Sequence, residues 1–273
     1  MTAFALRTVR SRTRIPVVAV PLLLLNLVAL QGCDVVTADL KHSETAEWKK
    51  NYELGAGGRV EISNVNGKIQ VTPSTGNSVE VVAQKTAKAA TIEAAKEALE
   101  KVEIREEVSS GAISISTKLP RGGGWFSGST QVKYTVRVPA GAEVKFTTVN
   151  GGVEVTGLTG KIIAETTNGG VVGRDIGGAI DASTTNGGVD VELARLAEGG
   201  AKLECTNGGI KLGLPSDSKA TISASITNGG IDASGLTLET TQASRRRLEG
   251  KLNGGGAPIH IEGTNGGIRI AAR

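Results

Sequence analysis

The sequence has few of the side chains on which most enzyme active sites depend. Its 273 residues include two histidines and two cysteines, and only 3% of them are aromatic. His42 lies in a polar N-terminal segment, and His260 lies between two isoleucines of an alternating pattern, which predicts that it faces solvent. No cluster has metal-ligand spacing, and the glycine-rich segments lack a P-loop lysine and a dinucleotide fingerprint. We therefore predict a non-enzymatic protein without a metal or cofactor.

The chain also lacks net charge once its first 32 residues are set aside. The whole sequence has 31 basic and 27 acidic residues, but four of the arginines precede residue 15, which leaves 31 − 4 = 27 basic residues against 27 acidic ones. Binding to nucleic acid requires a net basic face, because the phosphate contacts supply most of the affinity. We therefore expect no nucleic-acid partner.

The first 32 residues have the organisation of a cleavable signal peptide. Four arginines precede an apolar stretch, residues 15–30, which contains two prolines and is shorter than the roughly 20 residues of a transmembrane helix. The stretch ends at Leu30-Gln31-Gly32-Cys33, which resembles the bacterial lipobox. This pattern predicts a lipoprotein that contacts a membrane through a lipid on Cys33. It predicts a location in the cell envelope, periplasmic or on the outer face, and leaves the leaflet open.

Three segments are predicted after the signal peptide. Residues 33–57 are polar and predict a lipid-anchored tether, and residues 58–145 predict an N-terminal β region. Within that region, residues at about 91–102 predict a helix that Thr91 can cap, and this helix would cover an end or flank of the β core. Residues 146–273 predict a repeat region.

Asn-Gly pairs recur along the chain, and the spacing between Asn150 and Asn228 is first 18 and then 21 residues. Apolar or small residues alternate on both sides of each pair, as in strands with one buried face. Asn and Gly tolerate positive φ, so each pair predicts a bend. The bends are predicted at Asn66, Asn150, Asn168, Asn186, Asn207, Asn228 and Asn265.

The nearly constant period favours an all-β fold, a β-solenoid or β-helix-like repeat with Asn-Gly-Gly turns and one short helix. A twisted β-sandwich of consecutive hairpins is the alternative, because two-residue loops also fit this pattern. Stacking of the copies in chain order would place Asp190, Lys211 and Asp232 side by side with alternating charge. Cys205 occupies an inward position, which predicts a small core residue rather than a nucleophile.

Three surface features are candidates for contact with another molecule. The outward carboxylates Asp181, Asp190, Glu204 and Asp232 are typical of any soluble sheet, although some β-helix enzymes that cleave polysaccharides use acids on an outer face. Trp125 and Phe126 lie in a glycine-rich loop, which suits either contact with a partner or packing on the core. The run Arg245-Arg246-Arg247 is typical of a solvated loop.

The repeated Thr-Asn-Gly-Gly-Val/Ile units, the Val138-Pro139-Ala140-Gly141 step and the closing Thr264-Asn265-Gly266-Gly267-Ile268 unit resemble the DUF4097 family. The resemblance covers residues from about Arg59 to Arg273. It implies a β-strand-repeat protein of bacterial envelopes of the kind described as candidate adhesins, and it supplies no catalytic residues.

The function predicted from these observations is that of a non-enzymatic, lipid-anchored cell-envelope protein, adhesin-like or envelope-organising. Its partners would be the membrane, through the N-terminal lipid, and an envelope polysaccharide or protein. A ligand-binding or sensing module of an envelope stress response is the first alternative. A carbohydrate-active β-helix enzyme is the second.

Overall fold

A computed structural model describes residues 40–55, 57–119 and 128–273. The predicted signal peptide, the predicted lipid attachment at Cys33 and the loop residues Trp125 and Phe126 lie outside this part of the chain. Within the described ranges, no helix is long and apolar enough to cross a membrane.

The described residues form nineteen strands and one helix. In chain order these elements are β1 (His42–Glu53), β2 (Arg59–Ser63), β3 (Ile69–Ser74), β4 (Ser78–Ala89), α1 (Ile92–Glu100), β5 (Glu103–Ser109), β6 (Ala112–Lys118), β7 (Ser129–Pro139), β8 (Glu143–Asn150), β9 (Val153–Thr156), β10 (Ile162–Asn168), β11 (Val171–Ile176), β12 (Ile180–Asn186), β13 (Val189–Leu193), β14 (Ala201–Asn207), β15 (Ile210–Leu214), β16 (Ala220–Asp232), β17 (Leu238–Ala243), β18 (Arg247–Leu252) and β19 (Ala257–Ala272).

The repeat region is a parallel β-solenoid in which most rungs consist of one strand before an Asn-Gly bend and one strand after it. In the last two rungs, β16 and β19 each run through the bend as one strand. Before the bend, β10 pairs in parallel with β8 and β12; after the bend, β11 pairs in parallel with β9 and β13. The register superimposes equivalent residues, so that Asn168 pairs with Asn150 and Asn186. A sandwich of consecutive hairpins would require antiparallel pairing here. The predicted solenoid is therefore confirmed.

The final strand lies inside the stack. β19 pairs in parallel with β14 and β15 on one side and with β16 on the other. Lys211 therefore lies beside Arg269, and Asp232 lies beyond that arginine, so the predicted alternation of Asp190, Lys211 and Asp232 is wrong at its third member. The reason is that β17 and β18 form an antiparallel pair beside β16, which leaves the position next to β14 and β15 for the returning chain.

Antiparallel strands close the other end of the stack, where β1 pairs with β4 and β4 pairs with β7. The predicted tether is wrong for residues 42–53, because all twelve residues of β1 pair with β4. Trp48 and Tyr52 point inward from β1 and pack against the core, which gives this charged segment one apolar face. Apolar burial on that face accounts for its strand structure.

The predicted helix is confirmed as α1, which contacts β1 and β4. The Thr91 side chain accepts a hydrogen bond from the Ala94 amide at 3.1 Å, and Glu93 lies in the first turn. Ala95 is fully buried on the inner face of this helix. The helix therefore covers a flank of the β core, as its pattern predicts.

Small side chains fill much of the space between the two strand series. Ala164, Ala182, Thr184 and Ala224 are all buried, as the alternation predicts, and the inward residues of both series belong to one hydrophobic core. Small inward residues allow the two series to approach closely. The outward residues therefore lie on two extended faces, joined along one edge by the Asn-Gly bends.

Candidate functional site

The seven predicted bend asparagines are brought together in one continuous hydrogen-bonded ladder. Six of the seven donate from Nδ2 to the Oδ1 of a neighbouring asparagine over 2.7–2.9 Å. Their spatial order is Asn66, Asn150, Asn168, Asn186, Asn207, Asn265, Asn228. At the first end, Asn66 donates to the Thr130 carbonyl at 3.2 Å. All six amide-to-amide bonds point the same way, so the oxygen end of the ladder lies at Asn228.

The glycine after each asparagine is required for two reasons. Gly187 has φ +152°, and a Cβ on it would lie 1.9 Å from the carbonyl oxygen of Gly169 in the neighbouring rung. The second glycine is under less constraint, because a Cβ on Gly188 would lie 3.3 Å from the Gly209 oxygen, and Lys68 occupies this position in the first rung. The sequence pattern predicts the positive φ; the close approach of rungs is a further finding.

Hydroxyl groups beneath the ladder bond to the same glycine backbone. Thr166 and Thr184 donate to the carbonyl oxygens of the preceding rung at 2.7 and 2.8 Å. Cys205 takes the equivalent place, with its Sγ 3.3 Å from the Gly187 oxygen. This cysteine is 4% exposed, and burial raises the pKa of its thiol. A nucleophilic cysteine needs an accessible thiolate, so the predicted role as a core residue is confirmed.

Three of the four predicted outward carboxylates contact separate partners. Asp190 lies 2.9 Å from the guanidinium of Arg174, and Glu204 lies 2.8 Å from the Lys202 ammonium. Asp232 accepts hydrogen bonds from the side chain and backbone of Ser234, which lower the pKa of its carboxyl group. A general acid would need a raised pKa instead. These arrangements suit a charged, soluble surface.

His260 and a groove among the turns are further polar features of the surface. His260 points outward as predicted, and its Nε2 lies 3.0 Å from a carboxylate oxygen of Glu262. A groove of about 660 Å³ lies among the turns half a period from the ladder, and Arg195, Glu198 and Lys219 are among the residues that line it. Within the described ranges, no group of three or more His, Cys, Asp or Glu side chains could hold a metal ion.

The arginine run lies in a turn that crosses the last rung. The carbonyl oxygens of Arg245 and Arg246 accept hydrogen bonds from the amides of Ile231 and Ile226, at 3.0 and 2.9 Å. These two isoleucines flank the Asn228 bend. The Ser244 amide donates to the Arg247 carbonyl at 2.8 Å, which closes the turn. The run is exposed, as the sequence predicts, but its backbone also covers the end of the stack.

Two features were not found from the sequence, namely the spatial order of the ladder and the position of the arginine turn. The longer spacing between Asn228 and Asn265 is the only sequence feature that indicates either of them. The predicted interaction residues Trp125 and Phe126 and the predicted lipid attachment at Cys33 lie outside the described residues, so the structure leaves those three predictions untested.

Together, the strand stacking and the asparagine ladder define a two-sided parallel β-solenoid with an amide-bonded edge. The family model described as Toastrack DUF4097 matches residues 41–271. The chain therefore belongs to the DUF4097 family, as the resemblance implies. No curated protein matches its sequence.

One solved structure shares this fold at low sequence identity, and a second is a weaker match. A candidate cell adhesion protein from Clostridium sporogenes is 14% identical with a TM-score of 0.54, and the match covers 84% of this chain and 100% of that one. A candidate adhesin from Bacteroides fragilis is 9% identical with a TM-score of 0.30, and the match covers 82% of this chain and 97% of that one. The similarity to the Clostridium sporogenes structure supports the fold.

Proposed function

We propose that this chain is a non-enzymatic, lipid-anchored protein of the cell envelope with an adhesin-like or envelope-organising role. The observation that carries the proposal is the architecture itself. The described residues form one stack with extended outer faces, on which the outward carboxylates Asp190, Glu204 and Asp232 are held singly by different partners. Such a body suits the presentation of a surface to another molecule. The solenoid shared with the cell adhesion candidate from Clostridium sporogenes supports this role.

The proposed anchor is a lipid on Cys33, and it rests on the lipobox-like Leu30-Gln31-Gly32-Cys33 segment. Metabolic labelling of the full chain with a fatty-acid analogue tests it, because Cys33→Ser should abolish the label and the membrane association. Cys205 is the only other cysteine in the sequence and is buried, so Cys205→Ser is a matched control that should keep the label. Labelling of Cys33→Ser at the level of the unmodified chain would contradict the anchor.

The proposed partner is an envelope polysaccharide or protein, and the aromatic loop with Trp125 and Phe126 is a candidate contact. Aromatic side chains contribute much of the energy in many binding sites. A glycan array probed with the full chain and with Trp125→Ala or Phe126→Ala tests this contact. Weaker binding by either variant is expected, and identical profiles would remove the loop from the proposal.

The non-enzymatic part of the proposal can be tested separately. We expect no turnover when the full chain is incubated with a panel of envelope polysaccharides. Turnover that is lost in Asp190→Asn or Asp232→Asn would overturn this part, because it would show that an outward carboxylate acts in catalysis.

A further inference from the structure

The arginine turn carries two guanidinium groups without a carboxylate partner. Among the ten arginines of the described ranges, Arg195, Arg245 and Arg246 have no carboxylate oxygen within 4.0 Å. The other seven each have one, and they are Arg59, Arg105, Arg137, Arg174, Arg247, Arg269 and Arg273. Pairing with a carboxylate is therefore the rule for the arginines of the described ranges. Arg245 and Arg246 are adjacent and exposed, and their two guanidinium groups form a local positive site.

The backbone of this positive site is held in place. The carbonyls of Arg245 and Arg246 bond to the two sides of the last rung, and the Ser244 hydroxyl accepts hydrogen bonds from the amides of Arg246 and Arg247 at 3.3 and 3.0 Å. These amides are thus already used, and the groups left for a ligand are the two guanidinium groups. A fixed backbone reduces the entropy that binding would cost.

A guanidinium group binds phosphate, sulfate or carboxylate through paired N–H donors. One exposed ion pair contributes at most about 1 kcal/mol, so two arginines would hold a small anion only weakly. A polymer that carries many anionic groups would be retained better, because each dissociated group is replaced by a neighbour at high local concentration. The exposure of the turn therefore favours a polyanion over a small ligand.

The position of the turn in the stack favours an envelope polymer over the surface of the anchoring membrane. The described chain enters the solenoid at β1, and the turn lies at the opposite end, beside β16. Six strand intervals separate β3 from β16, and β7, β4 and β1 add three more beyond β3. At about 4.8 Å for each interval, β1 and the turn lie roughly 43 Å apart. This step rests on the proposed function, in which an N-terminal lipid holds the β1 end.

We propose that Arg245 and Arg246 form an anion-binding tip that takes the acidic groups of an envelope polysaccharide. The tip supplies charge and directional donors without an apolar pocket. Binding should therefore be tolerant of sugar identity and sensitive to salt. Two contacts of this kind imply a fall in affinity of about tenfold between 50 and 200 mM salt, by analogy with phosphate contacts in nucleic acids.

The test is equilibrium binding of the full chain to immobilised polygalacturonate, with neutral dextran as the reference polymer. The charge-removing variant is R245Q/R246Q, which retains the aliphatic stem that Arg245 places near Gly230. We expect this variant to bind about fivefold more weakly, the equivalent of two exposed ion pairs. The matched control is Arg247→Gln, because Arg247 already has Glu249 as its partner at 3.8 Å. This control should stay within about twofold of the unmodified chain.

Equal binding of the unmodified chain and R245Q/R246Q at the same melting temperature would overturn the proposal. If the variant has a lower melting temperature, the proposal is tested by the salt dependence of binding by the unmodified chain. Binding to polygalacturonate that does not change with salt concentration would overturn the proposal. Vesicles of phosphatidylglycerol and phosphatidylcholine form the second arm, and binding to these but not to polygalacturonate would overturn the polysaccharide partner. Equal fatty-acid labelling of the unmodified chain and of Cys33→Ser would contradict the anchor and would leave polymer binding by the tip intact, so the two failures are distinguishable.

Discussion

The N-terminal region, residues 40–145, and the repeat region, residues 146–273, solve the same packing problem in different ways. In the repeat region, parallel rungs stack in register and the glycine backbones approach closely at each bend. The N-terminal region adds antiparallel strands and bulky side chains, including the fully buried Tyr134. The regular stack therefore depends on close backbone contacts and small inward residues, whereas the N-terminal region fills its core with larger side chains.

Both ends of the solenoid are closed by antiparallel strands. At the first end β1 and β4 pair antiparallel, as do β5 and β6, and at the other end β17 and β18 do so beside β16. An uncovered parallel rung would present a full row of backbone donors and acceptors, which invites pairing with other chains. The comparison indicates that parallel pairing builds the interior and antiparallel pairing ends it.

The largest expected effect is on the glycine contacts of the repeat region. Gly187→Ala should destabilise the fold by about 4 kcal/mol or more, because φ is positive and the new Cβ would collide with the Gly169 carbonyl. Gly111→Ala, in the turn between β5 and β6, meets no atom within 4 Å and should change stability by less than about 0.5 kcal/mol. Urea unfolding measures both.

A second control lies within the same bend. Gly188→Ala would place its Cβ 3.3 Å from a carbonyl oxygen, and it should have an intermediate effect of about 1 kcal/mol. Equal effects at Gly187 and Gly188 would contradict the account of the bend, because they would show that rung spacing adjusts freely.

The next effect concerns the ladder. Asn186→Ala should cost about 1–2 kcal/mol, because Asn186 donates to Asn168 and accepts from Asn207. Asn228→Ala, at the oxygen end, removes one amide-to-amide bond and should cost about 0.5–1 kcal/mol. Thermal unfolding of the two variants under identical conditions makes the comparison. An end position as costly as an interior one would show that the ladder is not the source of the stabilisation.

Much of this architecture could be predicted from the sequence, because a fixed period with alternating inward residues leaves few ways to bury one face. The alternation at Ala182, Thr184 and Cys205 correctly identified their side chains as inward-facing. The site at the arginine turn could be predicted only as an exposed charge run. Its backbone bonds to Ile226 and Ile231 depend on contacts between residues distant in sequence.

Two errors have physical causes of the same kind. The strand β1 was missed because lysine and glutamate surround Trp48 and Tyr52, and only the pairing with β4 reveals that these aromatics share an inward face. The place of β19 was missed because it depends on how residues 233–256 fold beside β16. Local patterns specify which face of a strand is buried, whereas strand order depends on partners elsewhere in the chain.

A smaller expected effect concerns the N-terminal region at alkaline pH. Burial raises the pKa of Tyr134 to about 12, above its ordinary value of 10.0. A raised folded-state pKa means that the contribution of Tyr134 to stability is complete below pH 10 and is lost as pH rises towards 12. Tyr134→Phe should lose about 1 kcal/mol at pH 7, because the hydroxyl pairs with Thr117, but should lose less stability between pH 10 and 12.

Unfolding measured at several pH values tests this expectation, with Thr117→Val as the control that removes the partner and leaves the titrating group. Both tyrosines of the chain, Tyr52 and Tyr134, lie in the N-terminal region. Alkaline loss of structure should therefore begin there, and hydrogen exchange can locate it. Earlier exchange in the repeat region at high pH would contradict the assignment.

The smallest expected effect concerns Cys205, which follows Thr166 and Thr184 in the column of inward side chains beneath the ladder. Cys205→Thr should change stability by less than about 0.5 kcal/mol, because a hydroxyl at this position can bond to the Gly187 carbonyl as Thr184 bonds to Gly169. Cys205→Ala removes the donor and the sulfur and should cost about 1 kcal/mol. If Cys205→Thr destabilises the protein more than Cys205→Ala, a hydroxyl at this position does not bond as Thr184 does. The boundary between regular and irregular packing would then lie within the repeat region.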